Sequence, residues 1–173
     1  ELPALALDRM AVGAALRALR QDPPLHYTPG NGAAAYHAPR TLTEFAALRE
    51  ALPQARVLAG STDMGLWVTK QFKDLGDLIH IGEVTELKRV DVQADRIVIG
   101  AAASLEVAWQ ALVAEWPTLR DVWLRFAALP LRLAGTMGGN VANGSPIGDS
   151  APVLMALGAT LVLTADHGMN AKT

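Results

Sequence analysis

Apolar residues recur at helical spacing in residues 3–20, where Leu5, Val12, Ala15, Leu16 and Leu19 repeat. The stretch reads either as a short helix or as a linker that packs on a neighbour. Residues 22–40, DPPLHYTPGNGAAAYHAPR, lose that period and read as an extended linker with turns. A helix is predicted from Thr41 to Leu52. Thr41 and Glu44 form a capping-box pattern, each side chain satisfying a free backbone N–H of the first turn. ARVLAGSTDMG (55–65) predicts a short buried strand that breaks at Gly60, with Asp63 capping a helix through about Gln71. DLIHIG (77–82) predicts another strand. Two β-rich runs in 87–101 flank Gln93-Ala94-Asp95 and predict a hairpin. Ser104 caps a helix that reaches Trp116 and stops at Pro117. A further helix starts at Thr118 and ends before Pro130. Residues 150–158 predict a helix closed by Gly158, and 159–165 a strand. Strands alternate with helices, and one hairpin interrupts them. The class is α+β, or two small lobes.

The size, 173 residues, suits one domain, and 51% apolar residues allow a sizeable core. Aromatics are only 5%, so that core must be built from Leu, Val, Ala and Ile. A net charge of -2 argues against nucleic acid as the partner. There is no cysteine, which excludes disulfides, iron–sulfur clusters and thiolate zinc sites within the segment. The four histidines are scattered, and no pair has metal-ligand spacing. Charges at Glu1, Asp8, Arg9, Arg17 and Arg20 interrupt any signal-peptide core, and no apolar run is long enough to span a membrane. A soluble, cytoplasmic chain is expected. The missing initial Met and a start in mid-pattern suggest a piece excised from a longer polypeptide.

Two segments carry candidate chemistry. In LAGSTDMG (58–65), Gly60 lets a strand turn into a helix. Backbone N–H groups there could take a phosphate, helped by the hydroxyls of Ser61 and Thr62. The competing reading is a plain strand-to-helix turn. The second segment, GTMGGNVANGSPIGDSAP (135–152), holds five glycines and two asparagines and reads as irregular loop. Gly138-Gly139 permits close approach by another group, and a donor-rich loop suits a pyrophosphate. Asp149 either accepts a hydrogen bond from a ligand or caps the next helix. No G-x-G-x-x-G follows a strand and no P-loop is present. No nucleophile, acid–base pair or metal cluster can be assembled either, which fits a domain whose chemistry belongs to a cofactor.

VLAGSTDMG followed by LAGTMGGNVANGSPIGDSAPVLMALGATLVL resembles the FAD-binding domain of the xanthine dehydrogenase (molybdenum hydroxylase) family, bacterial small-subunit type. The resemblance runs from about Tyr36 to Leu163. It implies the two-lobed FAD fold of the vanillyl-alcohol oxidase type, here a small βα lobe and the start of a second lobe, truncated at the C-terminus. Residues 1–35 would be a linker from an upstream iron–sulfur part, and 36–173 an incomplete FAD-binding domain. Val57, Leu58, Ala59, Gly60, Ser61, Thr62, Asp63 and Met64 would lie along the pyrophosphate and adenosine side. Thr136, Met137, Gly138, Gly139 and Asn140 would form the second FAD loop, with Asn143 and Asp149 as further contacts. Phe126, followed by Ala127, matches an aromatic beside the flavin ring, unless it is helix core. The resemblance also implies [2Fe–2S] centres and molybdopterin elsewhere in a hetero-oligomer, NAD as electron acceptor, and no catalytic residue in this chain. Alternatives are another molybdenum hydroxylase, acting on an aldehyde or aromatic substrate, and a non-catalytic nucleotide-binding module.

Overall fold

The computed structural model describes residues 7–165 and 168–172. The start of the helix expected over 3–20 lies outside them, as do the first six residues of the expected linker and residues 166, 167 and 173. Helix α1 is Arg9–Leu19, capped by Asp8, whose Oδ1 accepts the amides of Met10 and Ala11 at 3.0 Å. None of its residues is buried.

Next come β1 (Leu25–Tyr27), β2 (Tyr36–Ala38), α2 (Leu42–Ala51), β3 (Arg56–Leu58), α3 (Met64–Thr69) and β4 (Leu78–His80). The strands form one sheet in the order β1-β2-β4-β3. Strand β1 pairs antiparallel with β2, while β4 lies parallel to both β2 and β3. Parallel neighbours need crossovers, and α2 and α3 supply them. The capping box at Thr41 and Glu44 is present. Helix α3 stops at Thr69, short of Gln71. The stretch expected to be extended linker thus contributes two paired strands to the sheet.

The hairpin is β5 (Val90–Val92) and β6 (Ile97–Ile99), closed by the Gln93 amide on the Arg96 carbonyl at 2.8 Å. Helix α4 (Leu105–Glu115) follows, its N-cap Ser104 accepting from the Val107 amide. The single helix expected from Thr118 is instead a 3-10 turn at Pro117–Leu119, α5 (Arg120–Arg125) and α6 (Leu129–Ala134). Pro130 sits in the first turn of α6, where its missing N–H costs nothing. Between α5 and α6 the chain turns sharply, with Ala127 at φ 48.

The glycine-rich segment then forms α7 (Met137–Asn143), and α8 (Ser150–Ala156) and the hairpin β7 (Leu161–Ala165) and β8 (Gly168–Lys172) complete the order. The main core gathers Leu105, Ala108, Trp109, Leu112, Phe126 and Met137. Trp109 is fully buried, and its indole N–H donates to Ser150 Oγ at 3.2 Å, tying α4 to the start of α8. A second cluster, Ile81, Val84 and Ala102, packs against Leu42 and Phe45 of α2 and against Ala59 and Leu87.

Candidate functional site

The first segment leaves β3 at Leu58 and reaches α3 at Met64. Ser61 is held at φ 63, a conformation that a residue with a Cβ adopts only under strain. Among the described residues, the amides of Gly60, Ser61, Thr62 and Asp63 find no acceptor, whereas the Ser61 carbonyl accepts from Gly65 at 2.8 Å. Asp63 occupies the N-cap position of α3 without making a side-chain cap bond. The segment is therefore a turn whose N–H groups are open to a ligand, as Ser61 and Thr62 suggested.

The second segment corrects an expectation. Only 144–149 is irregular: Thr136 caps α7, and Gly138 and Gly139 are helical. Only Gly144, which ends the helix, has positive φ, at 58. The first-turn amides are spent inside the protein. Met137 donates to the Ala103 carbonyl and Gly138 to the Ala101 carbonyl, each at 2.9 Å, and Gly139 to Thr136 Oγ1 at 3.1 Å. Gly138 is glycine because a Cβ would lie 2.6 Å from Ala101 Cβ. The close approach read from this sequence is real, but its partner is the chain's own backbone.

The two segments touch through backbone. A Cβ on Gly60 would fall 1.9 Å from the Ala134 carbonyl oxygen, and one on Gly135 3.4 Å from Thr62 Oγ1. Beside this contact opens a cleft of about 400 Å³, lined by Ala59, Gly60, Lys88, Ala103, Ser104 and Thr136 among others. Ala59 and Gly60 from the first segment and Thr136 from the second thus share a common wall.

The other expected residues scatter. Asn140 is half-buried, and its Oδ1 is buried without a hydrogen-bond partner. Asn143 and Asp149 are exposed, and Asp149 makes no side-chain bond at the N-cap position of α8. Phe126 is 5% exposed, with its ring 5.6 Å from that of Trp109. Its side chain belongs to the core, the alternative already open from sequence. Val57 is exposed and Met137 is buried.

Three features escaped the sequence reading. Lys88 lines the cleft. Arg132 hydrogen-bonds the carbonyls of Phe126 and Ala127 at 2.9 and 2.8 Å and so holds the strained turn at Ala127. His80, at the end of β4, is held below its ordinary pKa by burial and by Lys88, with Glu83 opposing. None of the three carries a local signal in the sequence.

Residues 30–172 match the family described as the FAD binding domain in molybdopterin dehydrogenase. The chain belongs to that family. The flavin domain is 33% identical over 137 residues to a xanthine dehydrogenase of Drosophila subobscura, covering 73% of this chain and 10% of that protein. It is 29% identical over 136 residues to the carbon monoxide dehydrogenase medium chain of Afipia carboxidovorans, covering 77% of this chain and 47% of that one. It therefore spans a tenth to about half of the relatives it matches. Among solved structures, carbon monoxide dehydrogenase from Hydrogenophaga pseudoflava lacking the Mo-pyranopterin moiety aligns with a TM-score of 0.72 at 27% identity, over 80% of this chain and 50% of that one. The α+β flavin fold expected from the sequence is thus the fold present, and the enzymes that carry it are oxidoreductases.

The residues fit FAD in kind. Four unpartnered amides suit an anionic pyrophosphate. Thr136, in the same cleft wall as Gly60, supplies a further polar group. Among the described residues, no helix is long and apolar enough to cross a membrane.

Proposed function

We propose that this flavin domain holds FAD across the wall shared by Gly60 and Thr136, as the flavin segment of a xanthine dehydrogenase. The observation that carries the reading is the row of free amides from Gly60 to Asp63, whose first member, Gly60, lines the cleft. These donors would hold the pyrophosphate without reorganising, because Gly60 is fixed against Ala134. Val57, Leu58, Ala59 and Met64 would run along the adenosine side. Thr136 would offer its hydroxyl, and Gly139 its amide once that hydroxyl turns away. Asn140, Asn143 and Asp149 would meet the polar edges of the cofactor. Phe126 and Ala127 would act from behind, through the turn that Arg132 braces. When bound, the isoalloxazine supplies reversible two-electron redox chemistry. The chain's own part is to bind, orient and shield it; no side chain here serves as nucleophile or general base.

In the whole protein, electrons from hypoxanthine or xanthine would leave a molybdenum centre in a partner subunit. They would pass [2Fe–2S] centres upstream of this segment and reach NAD through the flavin. Residues 1–35 would be the connection, and the assembly a cytoplasmic hetero-oligomer. A second reading is favoured by the carbon monoxide dehydrogenase medium chain, whose identity to this chain is 29% against 33%. Under that reading the flavin role stands and the substrate differs.

The test is the visible spectrum of the full-length protein, with the flavin released and identified, followed by turnover assays with xanthine and NAD. Released FAD beside iron–sulfur absorbance, with xanthine-dependent NAD reduction, supports the reading. FAD without purine turnover moves the protein to another molybdenum hydroxylase. A colourless protein that stays apo with added FAD overturns it.

A further inference from the structure

We propose that Lys88 is a positioning residue for the cofactor, an ammonium group set in the cleft wall to neutralise the pyrophosphate. The inference rests on the flavin reading and adds to it a residue that lies in neither glycine segment. Lys88 ends the 3-10 turn Thr85–Lys88, just before β5. That turn is anchored to the start of α2: the Leu42 amide donates to Glu86 Oε1 at 3.1 Å. It is anchored on the other side too, where the Ala102 amide donates to the Leu87 carbonyl at 2.8 Å. A Cβ on Gly100 would lie 2.2 Å from that same carbonyl. The backbone that carries Lys88 is therefore fixed against the segment leading into α4, whose Ala103 and Ser104 line the same cleft.

Charge makes the case. Every other residue lining the cleft is neutral, so Lys88 alone gives it a net charge. Among the described residues the ion pairs are Asp95–Arg96 and Glu106–Arg132, and neither involves Lys88. The neighbouring Glu86 is taken up by the Leu42 amide and the Thr85 hydroxyl. A dianionic ligand leaving water for this cleft needs a compensating charge, and backbone amides alone supply only partial ones. An exposed lysine provides it at little cost to the empty protein, since its head stays hydrated until the ligand arrives. The ligand class that fits a cation in a cleft also lined by Gly60, the first of four free amides, is a phosphodiester or pyrophosphate nucleotide.

The experiment uses the full-length protein, stripped of flavin and titrated with FAD and, separately, with riboflavin, which lacks the phosphates. Wild type, Lys88→Met and Lys88→Arg are compared at low and high ionic strength, with thermal unfolding as a control on the fold. Lys88→Met should bind FAD about tenfold more weakly at low salt. Its affinity should fall less with added salt than that of wild type, because the screened attraction is gone. Lys88→Arg should recover most of the affinity, and riboflavin binding should be unchanged throughout. Equal FAD affinity and equal salt dependence in wild type and Lys88→Met would overturn the inference and leave the flavin reading standing. An equal loss for riboflavin would overturn it as well, by moving the effect off the phosphates. A wild-type protein that binds no FAD would overturn the flavin reading itself.

Discussion

Arg132 Nε stands 2.7 Å from Glu106 Oε2, and the two side chains are only 9% and 10% exposed. The pair joins α6 to α4, and the same guanidinium reaches the carbonyls of Phe126 and Ala127. It lies 5.5 Å from the Trp123 ring as well. Removing the cation leaves a buried carboxylate and unsatisfied carbonyls together. Arg132→Met should cost about 3 kcal/mol, read as a lower denaturant midpoint. Adding Glu106→Gln should return part of that loss, because the orphaned charge disappears with it. An additive double variant would mean that the two groups do not act as a unit.

Acid should weaken the fold in two steps. Burial pushes the Glu106 carboxyl up, but hydrogen bonds from Arg132 and Gln110 outweigh it and hold the group below 4.5. His80 is held below 6.5, chiefly by burial. In both cases the unfolded chain binds the proton more readily, so stability present above the unfolded value is lost as pH falls through the folded one. The first loss should begin below 6.5 and the second below 4.5. Unfolding midpoints measured down the pH scale should show a flatter first step in His80→Gln and a flatter second step in Glu106→Gln.

The two glycine segments should respond differently to a methyl group. In Gly60→Ala the new carbon meets a carbonyl that cannot move freely, 1.9 Å away. A loss of about 2 kcal/mol and a wider, FAD-poor cleft are expected. In Gly139→Ala the new carbon meets only the Thr136 hydroxyl, at 2.7 Å. That group can rotate, so the fold should survive with a smaller loss. The larger Gly139→Val should still lower FAD content in the complete protein. Equal melting temperatures for the alanine variants at 60 and 139 would contradict this ranking.

Much of this was legible in the chain, and the parts that were not share a cause. The caps at Thr41 and Ser104 and the hairpin around Gln93 were readable because each is decided within a few residues. Helix α7 was not. Its glycines disfavour helix intrinsically, and what overrides them is distant: carbonyls of Ala101 and Ala103 take its first amides. The break between α5 and α6 is likewise fixed by Arg132, whose partner Glu106 is far back in the sequence. For the site, Gly60 and Thr136 were named and do meet one cleft, but nothing local marks Lys88 as their neighbour.

Ser61 offers a local test of strain. Its φ of 63 suits glycine. Ser61→Gly should raise stability by about 1 kcal/mol, while Ser61→Ala should not. If the serine is kept for a hydroxyl contact with the cofactor, both variants should retain FAD less well than wild type, which a flavin-release assay would read.

The backbone contact between Gly60 and Ala134 also sets a timetable. On the ribosome, the β3 end emerges long before the residues that close against it. During that interval the nascent chain has most of its cleft lining but lacks Leu133, Ala134 and Thr136, which close it. Nucleotide present in the cell at that moment has no completed seat, however abundant it is. On the proposed reading, loading waits for translation to pass Thr136, and a translational pause placed before that point lengthens the time the row of amides spends bound to water alone.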